Sequence, residues 1–148
     1  MKRINEYKKL FGVEKEIDLA TLKKTYRNLV KEWHPDKFQE GDAMKEEAEI
    51  QSRRVIDGYH FLVSIAPETR EANLEAYTAT INEGIADYHH KGLVLEITFV
   101  DGSTYEYFGV TPPIYQKMIN SDKINRFAKR AIYPNYIYRK TKKSVEQE

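Results

Sequence analysis

From Leu19 to Trp33, apolar and charged positions recur with the period of an α-helix. Leu19, Leu22, Tyr26, Leu29, Val30 and Trp33 fall on one face, and Lys23, Lys24, Arg27 and Lys31 lie roughly opposite. Asp18 stands just before this stretch, where a carboxylate can cap free backbone N–H groups for about 1 kcal/mol. A short helix over about Glu6 to Leu10 precedes it and stops at Gly12. A third helix is predicted over about Ala43 to Ser64, with the stripe Ala48, Val55, Tyr59, Leu62 and Ala66. A fourth opens with Pro67 at a tolerated first-turn position and carries Leu74, Tyr77 and Ile81.

Near residue 80 the pattern changes. Thr78 to Gly92 has weak periodicity, two glycines (Gly84, Gly92) and the pair His89–His90; it reads as a linker that can hold an early strand. Beyond it, Leu93, Leu95, Ile97 and Phe99 alternate with Val94, Glu96, Thr98 and Val100. Asp101-Gly102 is a hairpin-turn signal, and Thr104 to Phe108 returns as the second strand. Pro112-Pro113 starts a helix to about Ile119. Another covers about Asp122 to Ile132, and Tyr136 to Tyr138 reads as a last short strand. The expected class is α+β: an all-helical unit over 1–80, a linker over 81–92, and a small hairpin-plus-helices unit over 93–141.

Composition narrows the chemistry. The chain has 148 residues, enough for one ordinary domain or two small ones. With 41% hydrophobic and 32% charged residues, it reads as a soluble globular protein, and a net charge of +1 selects no partner by bulk field. Cysteine is absent, which excludes disulfides, thiolate metal sites and thiol nucleophiles and fits a cytoplasmic setting. The basic start MKRINEYKKL has no apolar stretch behind it and is not a secretory signal. No apolar run approaches the roughly 20 residues that span a bilayer, so no membrane role is expected. His60, His89 and His90 have no carboxylate or thiol cluster beside them, so neither a metal nor another cofactor is expected. Nor is there a Gly-rich phosphate loop, and an enzyme is the poorest of the functional readings.

The informative constellation lies where the second helix ends. Proline inside a helix costs about 3 kcal/mol and disfavours helical geometry in the residue before it. Pro35 therefore ends the helix near Trp33 and leaves His34 and Asp36 on a stiff turn beside the basic face. The chain then returns as an antiparallel helix pair whose apolar stripes face each other. The bland alternatives are a proline helix stop with polar neighbours and a solvated cationic face. Trp33 and Tyr59 are expected in the core, Tyr26 in part. The acidic run Glu46, Glu47, Glu49 is expected to be solvated.

Residues 6 to about 77 resemble the J-domain of DnaJ-like proteins. The resemblance rests on Tyr7 and Leu10, Gly12-Val13, Leu22-Lys23-Lys24-x-Tyr26-Arg27-x-Leu29, Trp33-His34-Pro35-Asp36-Lys37, Tyr59-x-x-Leu62 and Pro67-Glu68-x-Arg70. A bare His-Pro-Asp would be a weak signal; at the end of a basic amphipathic helix it is a strong one. The resemblance implies a co-chaperone that docks on a DnaK-type heat-shock chaperone and triggers its ATPase. Lys23, Tyr26 and Arg27 would form the docking face. Asp36 would pair with a chaperone arginine, and His34 and Pro35 would complete the signal. The sequence departs from the family at Asn28 and Glu32, where basic residues are common, at Ser52, where an apolar one is, and at Gly58, where alanine is usual. Glycine there lowers helix propensity by about 1 kcal/mol.

The second unit, about Tyr88 to Lys140, resembles the KTSC domain through Leu95-x-Ile97-x-Phe99, Gly102, Tyr105-x-Tyr107, Val110, Tyr115 and Phe127. A phenylalanine–asparagine pair frequent in that family is Phe127-Ala128 here. Nucleic-acid binding has been suggested for the family. Independently, Lys117, Lys123, Arg126, Lys129, Arg130, Arg139, Lys140, Lys142 and Lys143 face the single acid Asp122, with Tyr133, Tyr136 and Tyr138 interleaved. Cations for phosphates and flat rings for bases are what a single-strand binder needs. The candidate set is Lys123, Arg126, Lys129 and Arg130 with Tyr105 and Tyr107. The alternative reading is thus an RNA- or DNA-binding protein with a degenerate first unit; an unfolded client protein is the other partner for the second unit. The bland reading has the tyrosines packing the hairpin and the cations as ordinary surface.

Overall fold

A computed structural model describes residues 2–39 and 41–141; Lys142 and Lys143 lie outside the described residues. The chain divides into two compact units, the first ending at Glu71 and the second running from Ala72. The α+β class expected from the sequence is observed.

The first unit contains α1 (Lys2–Leu10), α2 (Leu19–Trp33), a single 3-10 turn (Pro35–Lys37), α3 (Ala43–Ile65) and α4 (Pro67–Ala72), whose last residue begins the second unit. The end of α1 is a two-bond glycine cap: Val13 N–H donates to Lys8 O at 2.8 Å and Gly12 N–H to Lys9 O at 3.2 Å. Gly12 takes φ +66°, where a Cβ would be strained. Asp18 stands at the N-cap of α2, where its carboxylate accepts from the Thr21 hydroxyl at 2.6 Å and forms no well-aligned cap bond, with the Thr21 and Ala20 N–H groups contributing more weakly. This bond holds the Asp18 carboxyl below its ordinary value. A second acceptor comes from a distance, because Leu19 N–H donates to Glu68 Oε1 at 3.1 Å. At α3 the cap is local: Met44 N–H donates to Asp42 Oδ1 at 2.9 Å.

The core of this unit is Ile4, Phe11, Ile17, Leu22, Ala48, Val55, Phe61, Leu62, Ile65 and Ala66. Trp33 and Tyr59, expected inside, are only half-buried. Gly58 is buried where α1 meets α3. A Cβ built on it would lie 2.8 Å from Tyr7 Cδ1 and 3.2 Å from Phe11 Cε1. The absence of a side chain there lets the Tyr7 ring of α1 and the Phe11 ring just beyond its end approach.

The second unit holds α5 (Leu74–Glu83), β1 (Ile85–Lys91), β2 (Val94–Phe99), β3 (Thr104–Phe108), α6 (Pro112–Ile119), α7 (Ile124–Ala131) and β4 (Ile137–Lys140). The fourth helix expected from sequence is therefore two helices, broken at Asn73. The stretch 81–92 ends α5 and forms β1, the early strand it could hold, so it is an ordered part of the second unit and not a linker. The unit accordingly starts well before residue 93. Its four strands make an antiparallel meander in the order β1-β2-β3-β4. Gly102 closes the β2–β3 hairpin at the expected turn, with Gly102 N–H on Phe99 O at 2.9 Å. One sheet face carries Leu95, Ile97, Phe99, Tyr105 and Tyr107. Tyr77 of α5, Met118 of α6, Ala128 of α7, Ile132 and Tyr133 pack with them into one core. At about 25 cal/mol per Å² of apolar burial, each of these large side chains contributes roughly 2–3 kcal/mol.

Candidate functional site

The turn after α2 is built by Pro35. It forces His34 out of the helix to φ −61°, ψ 125°, and the chain then makes one 3-10 turn closed by Lys37 N–H on His34 O at 3.0 Å. Asp36 N–H donates to His34 Nδ1 at 3.2 Å, which requires a lone pair on that nitrogen. The Asp36 carboxylate lies 3.6 Å from the same nitrogen, an ion pair only if the ring is protonated there. The two contacts exclude each other. With a neutral ring the N–H bond holds the turn and the carboxylate is left to solvent. The His34 side chain is half-exposed and that of Asp36 is 92% exposed.

Along α2, Lys23, Lys24, Arg27 and Lys31 are all exposed, and Lys23 and Arg27 are one turn apart on the same face. Tyr26 is half-buried and stacks on Tyr59 of α3, with ring centroids 4.0 Å apart and planes 13° apart. The structure therefore brings the loop acid, the loop imidazole and the cationic face onto one helix and its end, as the sequence indicated. The stack under Tyr26 was not legible, because Tyr59 read as ordinary core. Glu46, Glu47 and Glu49 are solvated, as expected.

In the second unit the candidate set splits. Lys123, Arg126, Lys129 and Arg130 are all exposed on or beside α7, opposite its buried Ala128. The Arg130 guanidinium lies 5.9 Å from the Phe127 ring. Tyr105 and Tyr107, expected as stacking platforms, are 4% and 0% exposed. Their rings are part of the core and present no face to a base. Tyr107 shares a 2.9 Å hydroxyl–hydroxyl bond with Tyr77, which stacks on Tyr138 with centroids 4.2 Å apart. Burial pushes the Tyr77, Tyr107 and Tyr133 hydroxyls well above the usual phenol range and Tyr105 up to about 12.

Three further roles lay outside the sequence reading. Asn125 Oδ1 accepts from Ile85 N–H at 2.9 Å and pins β1 to α7. Arg139 donates to Glu106 at 2.6 Å across β3 and β4. His90 bonds Val110 O at 2.7 Å and stacks on Tyr115 at 4.7 Å, so its ring is structural. All three pair residues far apart in the chain, and no local pattern encodes them. Among the described residues, no three His, Cys, Asp or Glu side chains converge as a metal would require, and no helix is long and apolar enough to cross a membrane.

Comparison with known proteins fits this division. Residues 6–71 match the DnaJ domain and residues 84–136 the KTSC domain; the chain carries both in tandem. It is similar to DnaJ homolog subfamily B member 6 of Gallus gallus, 42% identical over 57 residues, which is 38% of this chain and 17% of that protein. The Homo sapiens protein of the same name is 39% identical over 57 residues, with the same shares. Chaperone protein DnaJ of Mesomycoplasma hyopneumoniae (strain 232) is 38% identical over 58 residues, 38% of this chain and 16% of that protein. The chain thus spans less than a fifth of the length of these three relatives. No solved structure matches.

Proposed function

We propose that this chain is a co-chaperone that docks on a DnaK-type heat-shock chaperone and stimulates its ATPase through His34, Pro35 and Asp36. One observation carries the reading. A DnaJ domain presents an almost fully exposed carboxylate, Asp36, on a rigid turn at the end of an exposed cationic helix face. Lys23 and Arg27 steer encounter with an acidic surface, and Tyr26, seated on Tyr59, gives the contact a fixed ring edge. Asp36 then engages a cationic group of the chaperone. The chain catalyses no reaction itself; it biases the chaperone toward hydrolysis. The test is single-turnover ATP hydrolysis by a DnaK-type chaperone with and without this protein. Acceleration that saturates with its concentration supports the reading. An unchanged rate with folded protein at high concentration overturns it.

A second reading has its own observation. The outward face of α7 carries three exposed cations, Arg126, Lys129 and Arg130, with a fourth, Lys123, at its N-cap and no acid within the helix. Such a face suits the phosphates of RNA or DNA, and with Tyr105 and Tyr107 buried it would grip backbone without base stacking. Four phosphate contacts to a single strand give a slope of about −3 in log affinity against log salt. Fluorescence anisotropy with labelled single-stranded RNA and DNA at two salt concentrations tests it. No binding at low salt removes it and leaves the co-chaperone reading standing.

A further inference from the structure

β1 is an edge strand of the second unit's sheet, bonded to β2 on one side only. A two-residue turn joins the strands and Lys91 lies opposite Val94, so Lys91, His89 and Asp87 direct their backbone groups toward β2. Tyr88 and His90 direct theirs outward. Among the described residues, the outward groups meet a single partner: Tyr88 N–H donates to the carboxylate of its neighbour Asp87 at 2.9 Å. A bulge between Ile85 and Asp87 ends the regular ladder, leaving the straight edge Asp87–Lys91 centred on His89. Asp87, His89 and Lys91 are exposed.

We propose that this edge pairs antiparallel with the same edge of a second copy, about a two-fold axis at His89. Two independent features select that register. The first is backbone parity. With His89 opposite His89 of the second copy, Tyr88 of each chain faces His90 of the other, and these are the residues whose backbone groups point outward. They exchange four N–H···O bonds. Sliding the strands by one residue aims the groups of one chain past those of the other. The second feature is charge. In this register Asp87 of each copy lies opposite Lys91 of the other, giving two symmetric ion pairs. The next registers of correct parity oppose Lys91 to His89 or to Ile85 and lose both pairs. In the isolated chain, Asp87 occupies the outward N–H of Tyr88 and guards the edge. On pairing, that N–H passes to a carbonyl of the second copy and the carboxylate turns to Lys91.

The absence of cysteine gives a sharp test on the full-length chain. In the proposed register, position 89 faces itself across a non-hydrogen-bonded pair, with Cα atoms about 4.5 Å apart, within disulfide range. Under mild oxidation, His89→Cys should therefore cross-link into dimers. Asp87→Cys and Lys91→Cys alone should cross-link far less, since each position lies about 14 Å along the strand from its own copy. The double substitution Asp87→Cys with Lys91→Cys should cross-link again. Sedimentation of the unmodified protein should show a monomer–dimer equilibrium. Lys91→Asp should weaken it about tenfold, and adding Asp87→Lys should restore it. A protein that stays monomeric at the highest attainable concentration overturns the proposal. So does a dimer with no preference for cysteine at position 89, which would place the contact elsewhere.

Discussion

At the scale of single residues, Gly58 reverses its apparent meaning. In sequence it is a weak point of α3, costing about 1 kcal/mol of helix propensity. In the structure a Cβ there meets Tyr7 at 2.8 Å. Overpacking typically costs 1–3 kcal/mol, so Gly58→Ala should destabilise the first unit by about 1 kcal/mol net. In a Tyr7→Ala background the same change should be neutral or stabilising. Urea unfolding of the four variants measures this; a stabilising Gly58→Ala in the native background would show that the rings have room. Asp36 lies at the opposite extreme, with nothing to lose from the fold. Asp36→Asn should keep the unfolding midpoint and abolish stimulation of the chaperone ATPase. Asp101 offers a pH test. Partial burial pushes its carboxyl up, but bonds from Ser103 and Thr80 and the charge of Lys140 outweigh this and hold it below its ordinary 3.8. A lowered carboxyl contributes stability that is present above its unfolded value and lost as pH falls through its folded one. Asp101→Asn should therefore shrink the loss of second-unit stability below about pH 4, measured as unfolding midpoints across an acid series.

At the scale of elements, α2, α3, α6 and the β2–β3 hairpin were legible because each has a strong period and clear punctuation. β1 was legible only as an early strand that the linker could hold, since IADYHHK has no apolar alternation: an edge strand buries little, and its reason for being a strand lies in β2 and in the Asn125 bond. The sequence pattern places α5 in the first unit, and the structure places it in the second. Leu74 and Tyr77 continue the fourth helix on paper, but Leu74 is 54% exposed and Tyr77 packs on the sheet. The tyrosines of β3 follow the plainer of the two expectations, packing in the core instead of offering faces to bases, for a related reason. Thr104, Tyr105, Tyr107 and Phe108 are all buried, so both faces of that strand are covered where a hairpin reading left one open. The loop of the candidate site was the most legible part, because proline fixes it locally. The α7 face gives the prediction at this scale. Reversing Arg126 and Arg130 to Glu should leave the thermal midpoint nearly unchanged, as both are exposed. It should remove any nucleic-acid affinity and its salt slope. Retained affinity would place the phosphate contacts off α7.

At the scale of the whole molecule, two compact units with a division at Ala72 should survive separation there and not at residue 80. A fragment of residues 72–148 keeps α5 and should fold cooperatively. One starting at Ile85 exposes the tyrosines that Tyr77 covers. By analogy with large-to-small core changes, it should lose at least about 3–5 kcal/mol, enough to unfold most small domains. Circular dichroism melts of the two fragments decide it; equal stability would mean that α5 is an ornament of the sheet. The buried tyrosine cluster has one more consequence, an optical one. Phenols held above their ordinary pKa of 10 favour the folded state below that value, and this advantage is lost as pH rises through their folded pKa. The second unit should thus release its protons in a late, cooperative burst of tyrosinate absorbance as alkali unfolds it. The chain's single tryptophan, Trp33, sits in the first unit beside His34. The tryptophan thus belongs to one half of the molecule and the cluster of buried phenols to the other. The tryptophan lies next to the proposed docking turn, so a change in its emission on adding a DnaK-type chaperone is the expected label-free sign of docking there.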